Sequence, residues 1–458
     1  YLFRNLRIRL GRVQKLKYPK MRKIYKYLAL SVLNMPRFNK ILVEQREELK
    51  ERFEKERIIE REILGYCKPL IISKLIKVIT GIRRCGKSVF SQQLLKNKNY
   101  GYINFDDEKL AGIESEELDE LLKTVYEVYG KIDYLFLDEV QNISKWELFV
   151  NRLQRQGLNI IVTGSNAKLL SKELATHLTG RHTAFELFPF SFREFLNYKE
   201  IKLKAETTKE IGIIKKALNE YINNGGFPET LKDNPKVYLK ELYSTILLKD
   251  ILLRHKVRYI KTFKDLANYV ISNFAREVSF NKLKNIFNLG SDHTAKNYLG
   301  FLEESYLVFT IEKFSYKRKE SLIENRKLYA IDTGMINAVS FKFSEDISHL
   351  YENIVAIELL RKRAADFNME IFYWKNPVKE EVDFIIKDRL KIKQLIQVCY
   401  NIDDYDIKKR EIRALVKASK ELKCKNLLVI TEDKEGEEKV DNKKIKYIPL
   451  WKYLAQGL

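Results

Sequence analysis

The stretch "ITGIRRCGKSVF", residues 79–90, sets two glycines around four residues and follows them with Lys-Ser. Gly81, Gly86, Lys87 and Ser88 fit the G-x4-G-K-S spacing of a phosphate-binding loop, with Ile82, Arg83, Arg84 and Cys85 between them. An apolar strand, "LIKVIT" (75–80), runs into Gly81, and an apolar-periodic helix pattern, "SVFSQQLLKN" (88–97), leaves from Ser88. That is the strand–loop–helix context the motif requires. Each residue type has a task. The glycines let the backbone curl so that its N–H groups point at phosphate oxygens. The helix N-terminus adds partial positive charge. Lys87 is placed to reach the β- and γ-phosphates of ATP, and the Ser88 hydroxyl to ligate Mg²⁺.

Working outward, "NYGYINFD" (99–106), "YLFLDEV" (134–140) and "NIIVTGS" (159–165) are further apolar runs separated by helical stretches. Apolar strands alternating with helices predict an α/β core, a parallel sheet covered on both faces. Asp138 is expected at the carboxyl end of a buried strand, facing the Mg²⁺ shell. Glu139 would polarise the attacking water, and this second carboxylate is what argues for hydrolysis. Ser165 or Asn166 would stand at the polar end of the next strand, within reach of the γ-phosphate. Arg181, after Gly180, is a candidate arginine finger acting on a neighbouring subunit's nucleotide, which implies a homo-oligomer.

The 458 residues suggest roughly three domains at about 150 residues each. Net charge is +23, a balance that favours polyanions, nucleic acid such as DNA or an anionic membrane surface, unless it reflects a merely lysine-rich proteome. Residues 1–36 hold ten Lys or Arg and no acid, and read as a basic arm, a targeting piece or a stretch ahead of a start at Met21 or Met35. Residues 37–63 mix both charge signs with a thin apolar stripe and read as a solvated helix. No apolar run reaches 18 residues, so no membrane-spanning helix and no membrane partner are expected. Cys67, Cys85, Cys399 and Cys424 lack any disulfide or zinc spacing, which fits a reducing cytoplasm.

Taken together, "GIRRCGKS", "YLFLDEVQNISKWE", "IIVTGSNAKLLS" and "LTGRHTAFELFPFSFREFL" resemble the AAA+-like ATPases of archaea and bacteria, as do "NGGFPE", "LLKDILLRHKVR" and "WKNPVKEEVDFII". The resemblance covers residues 37–458. It implies a P-loop AAA+-like core, a helical lid, a winged-helix part and a C-terminal restriction-endonuclease-like α/β domain. The corresponding divisions are 1–62 for the arm and charged helix, 63–205, 206–262, 263–335 and 336–458.

Within 280–319 the rhythm is helix–turn–helix followed by a strand-like wing. Asp292, His293, Lys296 and Asn297 would lie near a major groove, with Lys313, Lys317, Arg318 and Lys319 on phosphates. The alternative is an interdomain packing module. In the last part, Glu352, Asp383 and Gln397 stand where a nuclease of this fold holds Mg²⁺. Cys399 takes the position of the lysine that would activate water, and a thiol carries no fixed positive charge. Lys387, Lys391 and Lys393 are the nearby lysines that could migrate into the role. The site reads as degenerate, and the domain as a binding or oligomerisation module. Three functions follow: an ATPase coupling nucleotide state to nucleic-acid binding, a nucleotide-gated switch with little turnover, or an ATP-dependent nuclease.

Overall fold

A computed structural model describes residues 37–166, 180–203, 205–232, 234–317, 324–340 and 347–457. The basic arm 1–36 and, in the wing, Arg318 and Lys319 lie outside the described residues. Five strands, β1 (Ile76–Thr80), β2 (Tyr100–Asn104), β3 (Tyr134–Asp138), β4 (Asn159–Gly164) and β5 (His182–Glu186), form one sheet in the order β2-β3-β4-β1-β5. Every neighbouring pair is parallel. β1 and β3 are buried along their whole length, as strands covered by helices on both faces must be.

The helix Arg37–Lys55 (α1) differs from the solvated reading. Phe38, Ile41 and Leu42 are all buried, an i, i+3, i+4 stripe that packs on the edge strand β2 and on the helix Leu118–Tyr129. Gln45 donates to the carbonyl of Asn104 at 3.1 Å and accepts from its N–H at 2.9 Å. α1 therefore covers an edge that would otherwise offer unpaired backbone groups.

A second sheet begins with β6 (Arg276–Val278), β7 (Val308–Lys313) and β8 (Arg326–Ala330), which pair antiparallel. They accompany the helices Phe280–Ile286 and Asp292–Glu304. β7 then pairs parallel with β9 (Met369–Lys375), through Glu312 with Phe372 and Lys313 with Tyr373. The sheet so runs without a break past residue 335 into β10 (Glu381–Asp388), β11 (Lys391–Val398), β12 (Leu427–Thr431), β13 (Gly436–Val440) and β14 (Lys443–Pro449). Its nine strands follow the order β13-β14-β12-β11-β10-β9-β7-β8-β6.

One apolar core runs through both sheets, joining Phe195, Tyr221, Phe263, Leu302 and Ile354 among others. Two polar pins cross it. Gly226 donates its N–H to Asp332 at 2.7 Å and accepts from Phe190 N–H at 2.7 Å. A Cβ there would lie 2.3 Å from the Phe190 carbonyl oxygen, so only glycine fits this turn. Arg361, on the buried helix Ile347–Ala365 (α2), donates to the carbonyls of Pro189 and Phe190 at 3.1 Å each and to the Tyr221 hydroxyl at 3.3 Å. Its other nitrogen bonds Glu358 at 3.2 Å.

Arg361→Met keeps the bulk but leaves Glu358 and three acceptors without their buried donor. The expected loss is about 3–5 kcal/mol, the range for breaking a buried ion pair. Urea denaturation checks this; a loss under about 1 kcal/mol would assign the join to the apolar core alone.

Candidate functional site

β1 ends at Thr80, and the chain turns sharply at Gly81, where φ is +149° and a Cβ would stand 2.1 Å from the Leu187 carbonyl oxygen. Arg84 and Gly86 also take positive φ. The loop opens directly into the helix that begins at Lys87 and spans Lys87–Leu94. Ile82 and Cys85 are buried in the core, and Arg61 donates to the Cys85 carbonyl at 2.9 Å, fixing the loop from outside. Lys87 Nζ donates to the carbonyls of Gly81 and Ile82 at 3.1 and 3.2 Å and lies 3.5 Å from Glu139 Oε1.

β3 delivers Asp138 beside this loop. Its carboxylate accepts from the hydroxyls of Thr163 and Tyr102, the latter at 3.2 Å, and Ser88 lines the same cavity. Burial, and then the Glu139 charge, push Asp138 above the usual carboxylate range, against the pull of the Ser88 and Thr163 hydroxyls. Glu139 goes the other way. Burial would raise it, but Lys87 and Arg83 hold it below the usual range. It sits in the left-handed region at φ +53°, with its N–H on Thr163 Oγ1 at 3.0 Å and Gln141 donating to its side chain. Two adjacent carboxylates are thus driven apart: one raised by burial and its neighbour's charge, the other held down by cations.

These groups border a cavity of about 490 Å³. α1, the Ile58–Ile59 segment and the Pro228–Glu229 turn close its other sides. The donor set fits a Mg-triphosphate: a glycine turn with no room for a Cβ, a lysine, a hydroxyl and a carboxylate around one cavity. Ser165 and Asn166 are buried at the end of β4, and Ser165 Oγ donates to Asp250 at 3.1 Å. Arg181 is not brought here. It precedes β5 at the opposite end of the strands, where its carbonyl accepts from Ile76 N–H and its guanidinium bonds Asn151 at 2.9 Å.

The second candidate cluster lies in the nine-stranded sheet. Glu352 on α2 and Asp383 on β10 do approach one another, but a lysine that sequence reasoning missed stands between them. Lys327 Nζ, from β8, is 2.7 Å from Glu352 Oε1 and 3.1 Å from Asp383 Oδ1, and it also pairs with Glu381. Burial alone would lower Lys327, yet Glu352, Asp383 and Glu381 together push it well up. Burial and Glu352 push Asp383 up to about 7. Gln397 accepts from Asp383 N–H at 3.4 Å and donates to Glu411. Cys399 is buried and its thiol is pushed up to about 12 by that burial. None of the nearby lysines joins the cluster: Lys387 pairs with Glu370, Lys393 with Asp388, and Lys391 lines an outer groove. Among the described residues no group of three or more His, Cys, Asp or Glu is arranged to hold a metal ion. The signal for Lys327 was its place in "NRKLYAID", a cation opposite in pleat to the apolar Leu328 and Ala330 and two residues from Tyr329, whose hydroxyl also bonds Glu352 at 2.7 Å.

In the helix Asp292–Glu304, the side chains of Asp292, His293, Lys296 and Asn297 are exposed. Lys284 pairs with Asp292 at 3.0 Å and Lys313 with Glu324 at 3.2 Å. No helix among the described residues is long and apolar enough to cross a membrane.

Lys327→Met leaves Glu352 and Asp383 without their counter-charge, Glu381 keeping Lys375 at 3.2 Å, and a stability loss of about 3–5 kcal/mol is expected in urea at pH 8. Adding Glu352→Gln should recover part of it, with a coupling above about 0.5 kcal/mol. Simple additivity of the two changes would show that the lysine and Glu352 do not act as a pair.

A family model described as an AAA domain matches residues 73–196. Two described as domains of unknown function match residues 215–346 and 348–453. An uncharacterized protein of Methanocaldococcus jannaschii is 43% identical over 402 residues, 84% of this chain and 89% of that protein. An uncharacterized protein of Haemophilus influenzae is 30% identical over 367 residues, 76% of this chain and 88% of that one. Among solved structures, a Walker-type ATPase of Pyrococcus abyssi aligns at TM-score 0.40 and 16% identity, covering 62% of this chain and 97% of its own. A STAND-type signal transduction ATPase of Pyrococcus horikoshii aligns at TM-score 0.26 and 15% identity, over 67% of this chain and 46% of its own. With an AAA-type P-loop core built on a parallel five-stranded sheet, the chain belongs to the family of these uncharacterized proteins from M. jannaschii and H. influenzae.

Proposed function

We propose that the protein binds ATP in the cavity at Gly81–Ser88 and hydrolyses it to ADP and phosphate. The observation that carries this is the meeting of two sequence-distant stretches: Lys87 lies 3.5 Å from Glu139, and Ser88 and Asp138 line the same cavity beside them. The loop N–H groups and Lys87 hold the phosphates. Ser88 and Asp138 would hold Mg²⁺, which would supply charge neutralisation for the phosphates. Glu139 stays ionised at neutral pH because Lys87 and Arg83 favour its charge, so it can orient and polarise a water. Arg181, exposed at the far strand ends, is the group we assign to a neighbouring subunit's nucleotide.

Isosteric Glu139→Gln is expected to keep ATP bound while slowing turnover by about 100-fold or more. Lys87→Ala is expected to weaken both binding and turnover. A phosphate-release assay beside a nucleotide-binding titration checks this. Full turnover in Glu139→Gln would leave a nucleotide-gated switch, or a different base, as the better reading.

The partner that the charge favours is nucleic acid. The net +23 and the exposed His293, Lys296 and Asn297 support DNA contact by the winged-helix-like part, 263–335. Cleavage is the weaker reading, because the Lys327 ammonium already engages Glu352, Glu381 and Asp383. DNA affinity should fall by about 10³ between about 50 and 200 mM salt if some six phosphates are contacted. Fluorescence anisotropy with a labelled duplex measures it. Retention that ignores salt, or none at low salt, would remove DNA as the partner.

A further inference from the structure

Asp250 is 1% exposed, and three elements converge on it. Arg83, from within the phosphate loop, makes a two-pronged contact: Nε to Oδ2 at 3.0 Å and Nη2 to Oδ1 at 3.2 Å. Arg254 Nη2 reaches Oδ1 at 3.1 Å, and Ser165 Oγ, from the end of β4, reaches the same oxygen at 3.1 Å. A bidentate guanidinium–carboxylate pair with a second guanidinium is stronger than a structural tie in a surface turn needs to be. It is also incomplete: Arg254 Nη1 is buried with no hydrogen-bond partner among the described residues. Unpaired buried donors are uncommon and call for a reason.

The place of the network supplies one. Arg83 lines the same cavity as Lys87 and Glu139. A triphosphate on the loop carries its terminal phosphate to Lys87 and the water-polarising carboxylate. That phosphate is a better partner for guanidinium than a carboxylate is, since it offers more charge and three oxygens. A diphosphate ends one phosphate short of it. Resting on the nucleotide reading above, we infer that Asp250 competes with the terminal phosphate of the bound nucleotide for Arg83 and Arg254, so that this carboxylate distinguishes ATP from ADP.

The backbone around Asp250 is suited to respond. Ile246–Leu252 is wound as a π-helix, a rare form that recurs at functional sites. It continues from the helix Pro235–Thr245, which packs against the helix Thr333–Val339 in the second half of the chain. Release of Asp250 by its arginines therefore acts on a segment that touches both halves.

The test uses the full chain carrying Glu139→Gln, so that nucleotide is not consumed, and titration calorimetry with Mg-ATP and Mg-ADP. Asp250→Asn removes the competitor's charge and keeps its shape. It should tighten ATP by about tenfold, the scale of one charge-assisted hydrogen bond, and move ADP by less than about twofold. Arg254→Met should do the reverse for ATP, weakening it by about tenfold and again sparing ADP. Equal shifts for both nucleotides, or weaker ATP binding in a folded Asp250→Asn protein, would reduce Asp250 to a structural tie and overturn the inference. If Asp250→Asn does not fold, the ATP-to-ADP ratio in Arg254→Met decides alone. Failure of the unaltered site to bind either nucleotide would instead overturn the nucleotide reading itself.

Discussion

A carboxylate inside a protein must be given donors or a proton, and the first half of this fold is arranged around giving donors to Asp138. Hydroxyls reach it from Thr163 on β4 and Tyr102 on β2, and Ser88, at the start of a helix, borders the same cavity. Those elements are neighbours only because the strand order β2-β3-β4-β1 sets β3 between β2 and β4, with the loop after β1 curling back over it. The same Thr163 hydroxyl accepts from Glu139 N–H, which holds the chain in its left-handed turn just past the strand. The sheet order and the polarity of the site are one constraint seen twice.

Two buried lysines in this chain show what a cation can do in opposite settings. Lys87 borders a cavity and shares its ammonium between two carbonyls and a single carboxylate at 3.5 Å. A ligand with more charge can displace those contacts. Lys327 is packed beneath Glu352, Glu381 and Asp383, with Tyr329 and Tyr373 beside it. Its ammonium has three donors and three carboxylates to take them, so it closes the cluster rather than opening it. The desolvation cost of such a group is met by its partners, and it ties β8 to β10 and α2 across the cluster.

The local pattern carried the phosphate loop and the acidic strand end in the sequence, because both depend on residues adjacent in the chain. Gly81 must precede a helix, and Asp138 must follow four apolar residues; neither requirement involves distant partners. α1 was misread for a physical reason: its buried stripe, Phe38, Ile41, Leu42, is narrow, and a narrow stripe is enough when a helix covers a sheet edge rather than a sheet face. Lys327 was missed because a lysine in a strand reads as exposed until its carboxylates arrive from residues 352, 381 and 383. The continuity of the second sheet past residue 335 rests on only two paired positions between β7 and β9, which no periodicity in either strand announces.

The connection between the two halves follows from where the pins sit. Asp332 caps the helix Thr333–Val339 by accepting from Met335 N–H at 3.0 Å, and with its other oxygen it holds Gly226. Gly226 in turn bonds Phe190, whose carbonyl receives Arg361 and the Tyr221 hydroxyl. The turn at 225–229 also forms one wall of the cavity at the phosphate-loop motif through Pro228 and Glu229. A chain of hydrogen bonds therefore leads from the cavity wall to α2, on which Glu352 lies. The π-helical segment at Asp250 is the second route, from the loop itself. One route is braced by buried glycine and arginine contacts. The other is wound in a rare helical form of the kind that recurs at functional sites, and it brings the acid that holds Arg83 of the loop.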